Sequence, residues 1–429
     1  MDAVRGAALP LRRVIVTKWS QTRSASRRMT TTVYALLSLS IVALGTERVE
    51  GTSVSGTVVP SACTAPTIAL HRITTQESAA VFAIDGQAGR IAVLEPFSVD
   101  LLDSTTGRRL WRSATSDFTQ QLGVGVDDVD GRVFVSDAGT TNGKIGTPGG
   151  LTMLDERTGK VLGGDNVGEL PYVITVDTVT HRVFVVGGRG PTVSVVDART
   201  GHVVAMSPLD PQNYDIIRSL TVDPTGRWVY MSGDARITVL DGVTGDVKMQ
   251  FASSAPPGEA ASTGTPVLDA LTGHLFVPAF LSDRHNVVTN VVTMFDLHHG
   301  TRLRAVTLPF YASALALDSR TDRVFAGGDN GFAILDGRTG RLLKIVPLKG
   351  TVVGLTTDGA TGLVFVGSEP QPNTGPAHLS VVSACSGLVL HTMPLGGALT
   401  ALSIDAHSGH LVLSVDGVVQ LVSVAIGSH

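Results

Sequence analysis

The chain has 429 residues, of which 43% are hydrophobic and only 16% charged, and it carries a net charge of −4. Such a length ordinarily means two or three domains. The weak, near-balanced charge supplies no basic field for nucleic acid and no acidic tail for a disordered partner segment.

Residues 1–45 stand apart in composition. Arg5, Arg12, Arg13, Lys18, Arg23, Arg27 and Arg28 form a basic front relieved only by Asp2, and the apolar run Val33 to Leu44 follows. Its twelve residues are short for a membrane span and suit the apolar region of a secretory signal. Cleavage near Gly45 is expected, with an uncleaved N-terminal anchor as the alternative. Arg27-Arg28 resembles a twin-arginine export signal but has Thr30 two places on. Ser61-Ala62-Cys63 resembles a lipoprotein box, but the polar stretch from Thr46 separates it from the apolar run, so lipidation is rejected. Residues 46–65, rich in Gly, Ser, Thr and Val, read as a linker.

Thr67 to Ile73 is a lone strand, and a repeat begins after it. A hydrophobic run ending in Asp, a short turn, and an Arg or His leading into a second apolar run recur at Asp85, Asp127, Asp177, Asp223, Asp269, Asp318, Asp358 and Asp405, 40 to 50 residues apart. A second turn, Asp-x-x-Thr-Gly, follows at Asp103, Asp155, Asp197, Asp241 and Asp336; it is degraded at Asp296 and Ser383. Val173 to Ala205 shows the unit in full, as four short runs of β-branched residues broken by Gly- and Asp-rich turns. Four antiparallel strands cannot cover both their faces alone, so the units must stack. A period of this length with four strands per unit predicts an all-β fold, a β-propeller over residues 66–429. The arithmetic gives eight blades, with seven as the alternative. The last unit stops before its fourth strand, which Thr67 to Ile73 is predicted to supply, closing the ring and removing exposed edges.

Only Cys63 and Cys385 are present. Cys63 precedes the closing strand and Cys385 lies in the second turn of the seventh unit, within matching Ser-Ala-Cys triplets. In an exported protein a bridge here would fasten the N-terminal strand to the ring; two unrelated thiols are the alternative.

The Gly168-to-Pro171 lead-in, the run ending in Asp, the Arg-Val-Phe-Val second strands (132–135, 182–185) and the Asp-x-x-Thr-Gly turn resemble the YVTN family of β-propellers. The Pro-Asp-Gly usual after the first strand survives only loosely, at Asp223-Pro224-Thr225-Gly226. This resemblance implies extracytoplasmic proteins with binding roles and a distant kinship with propeller lactonases. The segment Asp103 to Trp111 also resembles a docking motif of quinone-dependent dehydrogenase propellers. It occurs once, without the girdle of tryptophans, and is read as a shared turn.

The repeated Asp, Thr and Gly are expected to be structural: Asp and Thr bond nearby amides, and Gly supplies positive φ. Arg90, Arg132, Arg182, Arg227, His274, Arg323 and His410 are expected to form a solvated collar. The opposite face carries the loops that break the repeat, where function concentrates. Those loops contain the candidate ligand-binding residues Asp137, Asn142, Tyr214, Asp215, Asp283, Arg284, His285 and Glu369. No catalytic motif is found: no Gly-x-Ser-x-Gly elbow, phosphate loop, His-Glu-x-x-His or CxxC. His298-His299 reads as a pair of turn histidines, and Asp127 to Gly131 resembles a calcium loop without the downstream Glu, so it is discounted.

The expected function is that of an exported, monomeric, non-catalytic binding module for a protein, glycan or surface ligand. It would contact a membrane only through the N-terminal segment, if that is retained. The alternative is a lactonase-type hydrolase with Ca2+ or another divalent ion at the channel mouth, held among Asp137, Asp215, Asp283 and Glu369.

Overall fold

A computed structural model describes residues 67–427 apart from 79–80, 96–97, 115–120, 138–148, 169, 188–191, 209–216, 234–235, 253–259, 283–284, 286 and 372–374. The leader, the linker and Cys63 therefore lie outside the described residues, and with Cys63 the proposed bridge to Cys385. Among the described residues no helix is long and apolar enough to cross a membrane.

The described residues are all strand and turn, and they form a β-propeller of four-stranded antiparallel units. The third unit is representative: Pro171–Asp177, Arg182–Gly187, Thr192–Asp197 and Val203–Pro208 pair in chain order. Hydrogen bonding groups the strands into seven sheets, and the six-stranded sheet holds two repeat units. In that sheet Arg323–Asp336 folds back at Asn330, whose φ is 59°. Gly337 N donates to Asp322 O at 2.7 Å, closing the same hairpin that other units close. Leu342–Asp358 then runs from the outer edge of the sixth unit into the inner strand of the seventh. Eight units on seven sheets reconcile the expected number with its alternative.

Among the described residues eight apolar clusters hold the ring, one at each seam. In the seam between the third and fourth units, Phe184 and Val195 pack on Leu220, Val229 and Leu240. The closing seam packs Ala401, Val412 and Leu421 of the last unit on Phe82, Ile91 and Leu102 of the first. Alternation along each strand gives every sheet two apolar faces, each burying against a neighbour. The last unit, Leu399–Ile404, Leu411–Val415 and Val418–Gly427, receives Thr67–Ser78 as its outer strand, in register from Thr67 opposite Gly427 to Thr74 opposite Gln420. The expectation drawn from Thr67 to Ile73 holds, with the strand running five residues further.

The turns lock one unit to the next. Gly245, at φ 74°, lies so close to the third unit that an added Cβ would stand 2.3 Å from Val195 Cγ2. Gly159, at φ 70°, packs against the Trp111 indole, whose Nε1 donates to Glu156 O at 2.6 Å. Each of these glycines combines left-handed backbone with a close approach, so both requirements exclude a side chain. Gly245→Ala is expected to lower the unfolding free energy by about 2–5 kcal/mol, the sum of the left-handed penalty and overpacking. Urea denaturation of the two proteins measures it.

Candidate functional site

The turns after the first and third strands share one face of the propeller. There the repeated residues are engaged with their own backbone, as expected. Asp103 Oδ1 accepts from Thr106 N and from Thr106 Oγ1, both at 2.7 Å. Asp336 does the same with Thr339 at 2.7 Å. These hydrogen bonds hold the carboxylates of Asp103 and Asp155 below the usual range, the threonine hydroxyl being the largest cause in both.

The basic residues at the start of each second strand are a correction. A solvated collar is expected from the sequence, but Arg90, Arg182, His274, Arg323 and His410 reach across the seam to the third-strand turn of the next unit, while Arg132 pairs with Asp155 and Arg227 lies over Trp228, both within their own units. Arg323 Nη1 donates to Ala384 O at 2.7 Å and also to Cys385 O. His410 Nδ1 stands 3.0 Å from Ser104 O across the closing seam, and His274 Nδ1 stands 3.3 Å from Gly337 O. Arg182 donates to Val243 O at 3.4 Å while also pairing with its own Asp197 at 2.9 Å. His298 and His299 are turn histidines, as expected, the latter with Nδ1 2.7 Å from Asp296 Oδ2.

The connections between second and third strands lie on the opposite face. Asp137 ends Arg132–Asp137 opposite Gly150, where an added Cβ would stand 2.8 Å from Asp137 Oδ2. His285 is exposed between His274–Ser282 and Val288–Asp296. Glu369 ends Leu363–Glu369, and its Oε1 accepts from Leu399 N of the next unit at 2.9 Å. Burial pushes its carboxyl up, against that hydrogen bond. Asn142, Tyr214, Asp215, Asp283 and Arg284 lie outside the described residues. The described three share a face but not a metal-binding group. Among the described residues the side chains that could jointly hold an ion are Asp127, Asp130 and His181, on the other face.

One constellation escaped the sequence. Glu156, the second residue of the DERTG turn, is buried at the seam of the first and second units beside Asp85. Arg90 Nη1 stands 3.0 Å from Glu156 Oε2. Asp85 Oδ2 and Glu156 Oε1 are buried without a hydrogen-bond partner, a need that a proton on Glu156 would meet. Desolvation first, then the Asp85 charge and the hydrogen bond to it, push Glu156 up to about 8 despite Arg90. The signal in the sequence was slight: Asp85 has Ala88 at the third following position, where most units have a threonine or serine hydroxyl.

The fold and its two dissimilar faces define a repeat-built β-propeller scaffold. Residues 96–345, more than half of the chain, match the family described as outer membrane protein assembly factor BamB, and the chain belongs to that family. The YVTN resemblance is not what this comparison matches, and the segment Asp103 to Trp111 falls inside the matched region. Among solved structures, BamB from Moraxella catarrhalis is 18% identical, with a TM-score of 0.57, over 82% of this chain and 98% of that one. Sqt1 of Saccharomyces cerevisiae is 12% identical, with a TM-score of 0.63, over 85% of this chain and 100% of that one. The dihydro-heme d1 dehydrogenase NirN, solved in complex with DHE, is 13% identical, with a TM-score of 0.60, over 80% of this chain and 73% of that one. At such identities the likeness shows the fold alone. No curated protein matches the sequence.

Glu156 gives a pH dependence with a definite sign. Its folded pKa is raised from 4.5 to about 8, so the folded chain holds a proton that the unfolded chain has released. Stability should therefore fall as pH rises from about 4.5 towards about 8 and level off above. Glu156→Gln, which keeps a donor for Asp85, should flatten that part of the Tm-against-pH curve and raise Tm at its upper end. An unchanged curve would show that the pair does not share a proton.

Proposed function

We propose that the protein is an exported, non-catalytic interaction module that takes a protein partner on the face opposite its Asp-x-x-Thr-Gly turns. The observation that carries this reading is the division between the two faces. On one, the repeated Asp, Thr, Arg and His side chains are engaged in their own turns or in the next unit. On the other stand residues the repeat does not require, Asp137 and Glu369 at the ends of strands and His285 in the turn between two others. A scaffold that fixes one face and varies the other suits recognition. Membership of a family described as an outer membrane protein assembly factor favours a protein as the partner and an extracytoplasmic compartment.

Export goes with the basic leader and its apolar run, and with a bridge between Cys63 and Cys385 in that oxidising compartment. The mature protein should then begin downstream of the apolar run, and a reducing agent should lower its Tm. An intact Met1 together with an unchanged Tm would count against both features.

The partner face is tested by a photo-crosslinking residue placed in cells at position 285, and separately at position 338. Arg338 is exposed in a third-strand turn of the opposite face. A discrete crosslinked protein from 285 and none from 338 is expected. Crosslinks from 338 alone would place the partner on the wrong face for this reading.

A further inference from the structure

The first turn of the second unit departs from the repeat in one chemical respect. In the third, fifth, sixth, seventh and eighth units the residue three after the anchoring Asp is Thr or Ser, and its hydroxyl donates to the Asp carboxylate. Thr180 does so to Asp177 Oδ2 at 2.6 Å, Thr272 to Asp269 Oδ2 at 2.6 Å, and Thr321 to Asp318 Oδ2 at 2.6 Å. Thr361 and Ser408 serve Asp358 and Asp405 in the same way, at 2.6 and 2.5 Å. In the second unit the equivalent residue is Asp130, which as a carboxylate has no proton to give.

The consequence is visible at Asp127. Its Oδ1 accepts from Val129 N at 3.0 Å and Asp130 N at 3.1 Å, as in the other turns. Its Oδ2 has no hydrogen-bond partner, although the residue is completely buried. A buried carboxylate oxygen left in this way is costly unless a proton or a cation meets it. Asp130 and His181, from the equivalent turn of the third unit, converge on the same place. Asp127, Asp130 and His181 each bring a ligand atom within 4.8 Å of the other two. Asp130 Oδ2 stands 2.7 Å from His181 Nδ1. That approach is not in line with a ring N–H, and Nδ1 is buried without a hydrogen bond.

We propose that Asp127, Asp130 and His181 form a divalent transition-metal site, of the zinc class, across the seam between the second and third units. Two carboxylates and one imidazole are a borderline donor set, suited to zinc and its neighbours and less to calcium, which takes oxygen donors. Asp130 and His181 are partly exposed, so the open side faces water, which completes the coordination. The site needs the His181 ring nitrogen that now faces Asp130, with Nε2 turned outward. Arg199 is the group that has to yield: its Nε lies 3.2 Å from Asp130 Oδ2 and one terminal nitrogen 2.7 Å from His181 Nε2. Its side chain is 59% exposed and can swing into solvent. The ligands come from two units, so the ion would fasten one seam of the ring.

The test uses the whole chain and zinc chloride alone. The wild type should bind one Zn2+ per chain by calorimetry and gain Tm on its addition. Asp130→Thr restores the hydroxyl that the other turns use, so it should fold at least as well as the wild type and lose both the binding and the shift. His181→Asn, a residue that tolerates the left-handed backbone at this position (φ 54°), should lose them too. Failure of the wild type to bind zinc, or zinc binding retained in either variant, would overturn the assignment. A calcium-induced shift larger than the zinc shift would overturn it as well, since that ion has no use for the imidazole.

Discussion

The propeller depends on a contact that each unit makes with the next. At several seams the third-strand turn of one unit is gripped in two ways: a side chain of the preceding unit lies against its left-handed glycine, or an Arg or His from the preceding unit reaches its carbonyls. Gly245 against Val195 and Gly159 against Trp111 show the first half of the grip. Arg323 on Ala384 and His410 on Ser104 show the second. Apolar clusters supply the bulk of the cohesion at each seam, but they are non-directional. The turn contacts are directional, and they tie named atoms of one sheet to named atoms of the next. The seam between the last and first units carries both features, so the closing outer strand Thr67–Ser78 completes a unit already held in place.

Because the repeat puts so much of its polar chemistry into these seams, departures from it stand out as exposed needs. A turn that lacks the threonine hydroxyl leaves a carboxylate oxygen buried and unanswered. At Asp85 the residue standing beside the missing donor is Glu156, a second carboxyl whose pKa burial pushes up. At Asp127 the missing donor is replaced by Asp130, a carboxylate of the same charge, with His181 beside it. The two sites follow from one substitution pattern in adjacent units, and they lie on the face that the repeat otherwise makes uniform. The partner-binding reading belongs to the opposite face, where Glu369 is tied to Leu399 of the next unit and His285 is exposed between two strands.

Much of the fold was legible in the chain. The spacing of the anchoring aspartates, the alternation of β-branched residues and the incomplete last unit together pointed to four-stranded units and the closing strand, and left eight units against seven open. The structural role of the Asp-x-x-Thr-Gly turn was legible as well, since its hydrogen bonds lie within three residues. The roles of Arg182, His274, Arg323 and His410 were not, because their partners lie in the following unit, some sixty residues away or, for His410, across the closing seam. Glu156 read as an ordinary turn residue until its neighbour Asp85, from another unit, came into view. The calcium-like look of Asp127 to Gly131 was read as an ordinary turn, because the residue that sets Asp130 apart, His181, comes from the next unit.

The sequence by itself therefore determined the unit and its repetition, because strand period, turn chemistry and closure are written in neighbouring residues. Only the tertiary structure decided which repeated side chains bind across seams, which carboxylates lose their hydration, and which of them meet. Desolvation and pairing arise when units stack, and a linear spacing of forty to fifty residues carries no record of the angle at which they do so.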